Sequence, residues 1–313
     1  MLFFKRFSLA SQAPLITLLA LCIVTALLTS RFLTPLNLSN LLVQSSIMAV
    51  IAIGMTFVII GGGFDLSVGS TVALAGCVSA MITVTLGLAA GIVAGISAGT
   101  AVGIVNGWVI AKLGVNPFIT TLGTMVLVRG IVFLITGGAP VGDEGLPRAF
   151  LAFGSARLFG IHYLVWVPFI LLVVLSWMMH ATPYGRRIYA TGGNREAAYL
   201  SGVPVDRIIA STYTWCGMLA GVAGVMLAAR LQSGQPTAGE FYELTAIAAV
   251  ILGGASLQGG EGTLYKSIIG VFIMVVLGNS LNLLNVDSYW QRVAIGLVII
   301  AAAAADRLRS PRR

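Results

Sequence analysis

The residues best able to do chemistry in this sequence are one isolated carboxylate and a scatter of carboxamides set among long apolar runs. Asp65 follows Gly61-Gly62-Gly63-Phe64 and precedes Leu66-Ser67-Val68-Gly69-Ser70. Three successive glycines do not favour helix, so a break separates the apolar runs on either side. A carboxylate at such a place is costly in lipid and signals a function or a structural duty. Asp65, Ser67 or Ser70 suits the cap of a helix that opens after the break, accepting from its free N–H groups. Direct contact of Asp65 with a polar solute is the other reading. Asn279 and Asn282 lie three residues apart and share a helix face. Asn106, and Asn116 ahead of Pro117, add two more carboxamides, with Gln44, Thr120, Thr121 and Thr124 as further polar groups. A carboxamide both donates and accepts hydrogen bonds, which suits a polar solute. The same groups also serve to tie helices together. Asp65, Asn106, Asn116, Asn279 and Asn282 are thus the candidates for a translocation path.

No catalytic constellation stands out. Gly95-Ile96-Ser97-Ala98-Gly99 reads as G-x-S-x-G, but it lies inside an apolar run. A nucleophile elbow needs a strand-turn-helix and a histidine partner, and the only histidines are His162 and His180. The nearest approach to a phosphate-binding loop is Gly262-Thr263-Leu264-Tyr265-Lys266-Ser267. Tyr265 stands where G-x-x-x-x-G-K-[ST] needs its last glycine, and its bulk would block the backbone cradle. Cys22, Cys77 and Cys216 all fall in apolar runs, without disulfide or metal spacing. The expectation is a chain with no catalytic residue, no metal site and no cofactor of its own.

A polar stretch, 184–207, carries a different signal. Asn194 suits the cap of a short helix with Arg195, Glu196, Ala197, Ala198, Tyr199 and Leu200 as its body. Gly202 stops it as a C′ glycine, and Pro204 prevents its return. A two-turn helix with stop signals at both ends has no lipid reason to exist. It reads either as a knob for a soluble partner or as a solvated connector.

The elements that position these residues follow from composition. The chain has 313 residues, 58% hydrophobic and only 9% charged. A soluble domain carries about 25% charged residues, so much of this surface faces lipid. The apolar runs are continuous rather than alternating, which favours helices over a barrel. Ten spans are expected, near 14–30, 41–61, 70–86, 88–111, 117–136, 161–180, 208–230, 243–257, 264–284 and 289–305. The first is read as a span rather than a cleaved signal, because Ser30-Arg31-Phe32 forms no small-residue cleavage site. With both termini cytoplasmic, Lys5, Arg6, Lys112, Arg186, Arg187, Arg195, Arg207, Lys266, Arg307, Arg309, Arg312 and Arg313 lie inside. Arg31, Arg148, Arg157 and Arg230 then lie outside, as the positive-inside rule requires. The net charge of +8 is accounted for by these loops and by the inner leaflet, not by nucleic acid.

The fourth span carries glycines at every fourth position, Gly87, Gly91, Gly95, Gly99, Gly103 and Gly107. They form a line on one helix face, where another backbone can approach closely. Gly91, Gly95, Gly99 and Gly103 are the core of this packing line. A weak internal repeat also shows: residues 55–71 align without gaps to 247–263. Val58, Ile59, Gly61, Gly62 and Thr71 match Val250, Ile251, Gly253, Gly254 and Thr263. Both segments follow an even-numbered span, so the repeat is parallel.

These motifs together resemble the ribose-type branch of the binding-protein-dependent ATP-binding cassette permeases. Gly61–Ser70, the 184–207 stretch, Ala248-Ala249-Val250-Ile251-Leu252-Gly253-Gly254, Ser233-Gly234-Gln235-Pro236-Thr237-Ala238-Gly239 and Leu281-Asn282-Leu283-Leu284 carry the likeness, from about residue 40 onward. The departure is Phe64, where such permeases usually have isoleucine before the Asp-Leu-Ser. The resemblance implies a single all-α permease domain over 1–313, like the type II importers, in a bacterial inner membrane. It implies a second permease copy or a related permease, and a periplasmic or extracellular sugar-binding protein. It further implies ATPase subunits carrying ATP and magnesium, and a cytoplasmic coupling loop at 181–207 that presents Asn194, Arg195, Glu196, Ala197, Ala198 and Gly202 to the ATPase. The cargo it implies is a monosaccharide, ribose-like or related. The alternative is an ion-coupled secondary sugar transporter. That class needs ionisable groups at mid-membrane, and only Asp65, Arg129 and Glu243 come close.

Overall fold

The computed structural model describes residues 12–142 and 145–309, with the side chains of 305–309 left out. Lys5, Arg6, Asp143, Glu144, Arg312 and Arg313, and the side chains of Arg307 and Arg309, lie outside what is described. The chain is almost wholly helical: α1 (Ala13–Leu28), α2 (Pro35–Ile60), α3 (Val68–Leu86), α4 (Leu88–Lys112), α5 (Pro117–Thr136), α6 (Arg148–Ser155), α7 (Tyr163–Ala181), α8 (Pro183–Gly193), α9 (Arg195–Leu200), α10 (Val205–Leu231), α11 (Tyr242–Leu252), α12 (Leu264–Leu283) and α13 (Ser288–Arg309). A two-residue hairpin, β1 (Arg157–Leu158) with β2 (Ile161–His162), precedes α7.

Among the described residues seven helices, α2, α3, α4, α5, α7, α10 and α12, are long and apolar enough to cross a membrane. The other three expected spans fall on α1, α11 and α13, whose apolar parts are shorter. α11 departs most from expectation. Its 11 residues rise about 16 Å against a hydrocarbon core of about 30 Å, because Gly253-Gly254 stops it. α2 starts earlier than hydropathy suggests, since Pro35 opens it and Thr34 Oγ1 accepts from Asn37 N–H at 3.4 Å. The stretch between α5 and α7 holds α6 and the hairpin, where no element was expected. The expected single short helix near 194–201 is preceded by a second, α8, which Thr182 caps and Pro183 opens.

α2 runs through the middle, buried over almost its whole length from Ser45 to Ile60. Around it the packing is backbone to backbone. A Cβ added at Gly99 would lie 2.5 Å from the Gly217 carbonyl oxygen and 2.7 Å from Gly221 Cα, and one at Gly107 would lie 2.5 Å from the Ala210 oxygen. Gly103 faces Tyr213 and Gly217 in the same way, so the α4 glycines seat against α10. Gly91 and Gly95 turn toward Thr83, Ser79 and Ala75 of α3. Dispersion and close approach, not hydrophobicity, hold such a seam in lipid.

The internal repeat is carried by backbone geometry. Gly61 and Gly62 end α2, and Gly253 and Gly254 end α11, with φ of 86° at Gly62 and 90° at Gly254. In the first copy the N–H groups of Gly61, Gly62 and Gly63 donate to the carbonyls of Phe57, Ile59 and Val58. In the second, those of Gly253, Gly254 and Ala255 donate to Ala249, Ile251 and Val250. These are the same three bonds, a Schellman-type stop built twice. The restart differs. α3 opens at Val68, whereas α12 waits until Leu264, and Leu257 stands at the position aligned with Asp65.

Candidate functional site

The two breaks, residues 61–67 and 253–263, meet at one end of the bundle, which also carries Lys112, Arg186, Arg187, Arg195, Arg207 and Lys266; we call it the basic end. There α8 rests on both. Gly260 N–H donates to the Ile60 carbonyl at 2.8 Å. A Cβ on Gly192 would strike Ile60 and Gly260, and one on Gly259 would come within 2.9 Å of Gly62 Cα. Three chain segments thus touch at glycines. Tyr189 adds a hydroxyl bond to the Gly262 carbonyl at 2.8 Å, and Tyr184 pairs with Ser211 at 2.7 Å. Burial pushes both phenols above their ordinary pKa, so they stay neutral hydrogen-bonding braces at physiological pH.

α9 hangs from this brace. Asn194 Oδ1 accepts from Ala197 N–H at 2.9 Å. Gly202, at φ 79°, donates to Tyr199 and Val203 donates to Ala198, closing the helix. Ala197, Tyr199 and Leu200 are exposed, the last two by 70% and 79%. Ala198 was expected to face a partner beside Ala197. It is instead 5% exposed and packs into the chain's own core, because each residue turns the helix by about 100° and Ala198 falls on its inner face. The large apolar groups available for docking are Tyr199 and Leu200, which sequence reading placed only in the helix body. Lys112 and Arg195 approach Asp206 at 3.6 and 3.7 Å. These partly exposed pairs orient the segment but contribute little stability.

Asp65 lies within the first break and is buried, at 1% exposure. Its Oδ1 accepts from Ser67 N–H at 2.9 Å and from the Ser67 hydroxyl at 2.6 Å. Asn106 and Cys216 also reach the carboxylate. Asn106 Nδ2 donates to Ser67 Oγ at 2.9 Å, and Thr124 donates to Asn106 Oδ1 at 2.7 Å. Tyr213 donates to the Phe64 carbonyl at 3.2 Å. This network pins the break to α4, α5 and α10. Asp65 thus fastens Ser67, the residue ahead of α3, and holds the break, but the expected cap is not formed. α3 has no side-chain cap, and the Ser70 hydroxyl donates back to the Ser67 carbonyl. Asn106 ties helices together.

The remaining candidates are dispersed. Asn279 exchanges two amide bonds with Asn37, at 3.1 and 2.8 Å. Asn279 and Asn282 both line a cavity of about 490 Å³ between α2, α11, α12 and α13, with Gln44, Arg230, Glu240 and Gln291. Asn116 lies at the basic end, where its Oδ1 caps α5 through Phe118 N–H at 2.9 Å. The five path candidates therefore form no single site within this chain. Arg129 of α5 donates to the carbonyls of Pro236 and Ala238 at 2.6 and 2.9 Å, in the α10–α11 connection, whose Gly239 packs on Gly69 just past the first break. Val141 and Gly234 exchange backbone bonds at 2.9 and 2.8 Å, joining that connection to the one between α5 and α7. Sequence reading set Arg129 aside as a possible intramembrane charge, and its partners are main-chain carbonyls.

Comparison with known proteins adds a family to this geometry. Residues 37–303 match a family model described as the permease component of branched-chain amino acid transport systems. The ribose import permease protein of Bacillus subtilis (strain 168) is 46% identical over 298 residues, covering 95% of this chain and 92% of that protein. The ribose import permease protein of Escherichia coli (strain K12) is 43% identical, covering 97% and 96%. The L-arabinose transport system permease protein of the same strain is 40% identical, covering 94% and 90%. No solved structure matches.

Proposed function

The chain belongs to the permease-component family of the branched-chain amino acid transport systems, and on that premise we propose that it is the membrane subunit of an ATP-binding cassette importer for a ribose-like monosaccharide. The family description speaks of amino acids, whereas the relatives at 40–46% identity along nearly the whole chain are named for ribose and L-arabinose. The longer and closer likeness favours the pentose. The structural observation behind the coupling half of the reading is α9. It is a capped, two-turn helix with Tyr199 and Leu200 outward, braced through α8 on both breaks. ATP and magnesium then belong to a separate ATPase chain. Residues 181–207 are the coupling loop of a single domain spanning 1–313. Asn194, Arg195, Glu196, Ala197 and Gly202 shape its contact, and Ala198 supports it from behind.

In this reading the basic end is cytoplasmic, ten helical segments thread the inner membrane and both termini lie inside. The short α11 then crosses with the help of its extended continuation, 253–263. The opposite end meets an external sugar-binding protein, and a second permease copy completes the pore. Residues from the α12 cavity, Asn279 and Asn282, serve the passage of sugar hydroxyls. The test is uptake by proteoliposomes holding the permease with its ATPase and binding protein. ATP-dependent uptake of labelled D-ribose or L-arabinose is expected. Uptake of L-leucine in their place refutes the cargo, and sugar uptake driven by an ion gradient without ATP refutes the class.

A further inference from the structure

The cavity of about 490 Å³ between α2, α11, α12 and α13 has an aromatic ring in its wall. That ring is Phe241, 52% exposed, and Arg230, Glu240 and Arg292 stand beside it. Lipid tails exclude charged side chains, so the cavity is a wet place rather than a groove for lipid. Phe241 has φ 63°, a left-handed backbone that a bulky residue rarely adopts and glycine adopts freely. Main chain, not the ring, fixes its place. Tyr242 N–H donates to the Gly239 carbonyl at 3.1 Å. Thr245 N–H and Thr245 Oγ1 both donate to the Phe241 carbonyl, at 3.1 and 3.0 Å. Gly239, also at positive φ, is seated on Gly69. The turn thus accepts strain while holding a phenyl ring out of the core and against a polar cavity. Strain that the surroundings maintain in this way clusters where ligands are handled.

Arg292 covers the ring. Its guanidinium carbon lies 5.5 Å from the Phe241 centroid, a cation–π contact. The ion pairs of the described residues, Lys112 and Arg195 with Asp206, do not include it, and its N–H groups reach no acceptor among those residues. A phenyl face with free N–H donors next to it fits the two sides of a sugar. The C–H side, faintly positive, lies on the negative face of the ring, and the hydroxyls accept from the guanidinium. The volume lies in the range of about 300–1,000 Å³ for small-molecule sites. We propose that Phe241 is the platform on which the sugar ring stacks during passage, with Arg292 drawn aside to bond its hydroxyls. The aromatic face then supplies the contact that carboxamides such as Asn279 and Asn282 cannot.

This inference rests on the importer reading and on its assignment of the α12 cavity to the passage. It is tested in proteoliposomes of the assembled importer, by ATP-driven uptake of labelled D-ribose, with thermal unfolding and size exclusion of each purified variant. Phe241→Trp keeps an aromatic face and should keep uptake. Phe241→Leu keeps apolar bulk without that face and should lower the maximal rate about tenfold, the scale of a lost aromatic contact. Phe241→Gly removes both the ring and the strain, so it should lower uptake as much while unfolding at or above the wild-type temperature. Arg292→Leu should also lower uptake. Wild-type uptake by Phe241→Leu overturns the inference and leaves the importer reading intact. Earlier unfolding of Phe241→Gly overturns it too, since the ring then serves the fold. Loss of the second permease copy from Phe241→Leu shows that the ring packs protomers and likewise overturns it. Wild-type uptake by Arg292→Leu removes the guanidinium from the site. Failure of the unaltered importer to take up any sugar removes the importer reading, and this inference with it.

Discussion

Ile60 and Gly260 are joined by a hydrogen bond, the Gly260 N–H donating to the Ile60 carbonyl at 2.8 Å. Ile60 is the last residue of α2, and Gly260 lies in the break that follows α11, the repeat partner of α2. The two repeats are therefore cross-linked at their stops, with Gly192 of α8 lying over the bond. Whatever moves α8 moves both stops.

The glycine seam gives the most direct stability prediction. Gly99→Ala places a methyl group 2.5–2.7 Å from the Gly217 and Gly221 backbones, where nothing soft can yield. Overpacking of this kind costs about 1–3 kcal/mol, and Gly99→Leu should abolish the folded state. Gly130→Ala of α5 meets nothing within 4 Å and should leave protomer stability unchanged or slightly raised, as helix propensity favours alanine. Thermal unfolding of the purified variants in detergent measures both, and a Gly99→Ala protein as stable as Gly130→Ala contradicts the packing.

Asp65 is expected to act through shape more than charge. Asp65→Asn keeps an oxygen for the two Ser67 donors, so folded yield should stay near wild type. Asp65→Leu strands those donors and Asn106, at about 1–3 kcal/mol for each unsatisfied group, and should greatly lower yield. Size-exclusion of detergent extracts distinguishes the two. Similar profiles for both variants show that the network does not hold the break.

Docking on the ATPase should depend on Tyr199 and Leu200. Tyr199→Ala should weaken association by about 2 kcal/mol, the scale of an interface hot spot, or about thirtyfold. Ala197→Arg should act likewise by placing a bulky charge in the contact. Neither should disturb folding, since both positions are exposed. Ala198→Arg should misfold the loop instead. Pull-down against the ATPase, with a folding control for each variant, is the measurement. Wild-type association of Tyr199→Ala, Leu200→Ala and Ala197→Arg removes α9 from the coupling role.

Orientation is open to cysteine labelling. Cys77 and Cys216 are buried and Cys22 is partly so, which gives a low background. Phe159→Cys, at a hairpin residue 88% exposed, should react with an impermeant maleimide from outside the cell. Ser201→Cys should react only after the membrane is opened. The reverse pattern turns the bundle over.

Much of the architecture was legible because lipid leaves so few options. The long apolar runs, the Gly91–Gly107 line, the stop at Gly61-Gly62 and the Asn194–Gly202 helix all rest on local rules, and each has its counterpart in the fold. Gly87, expected at the head of that line, instead joins α3 to α4 at φ 89° and meets nothing within 4 Å. What was not legible depends on partners distant in sequence. The Gly217, Gly221 and Gly224 positions that receive α4 and α3 lie far from them in the chain, and nothing local pairs them. α11 reads as a span by hydropathy, but its length is set by glycines inside the expected segment. The inward turn of Ala198 depends on the angle at which α8 delivers the chain. The polar candidates fared worst: a carboxamide in an apolar run has the same signature whether it meets a solute, as Asn282 can, or another amide, as Asn279 does with Asn37.

The α4–α10 contact has a mechanical corollary. From Gly99 to Gly107 the seam is main chain and hydrogen atoms, so its assembly there forfeits little side-chain entropy. That stretch offers no compliant side chain that could be compressed or repositioned under load. α4 and α10 must then travel as one stiff plank, and flexing is left to the places where the chain is already interrupted. The stiffness of the glycine line and the pliancy of the two breaks are halves of one lever, with its fulcrum under α8.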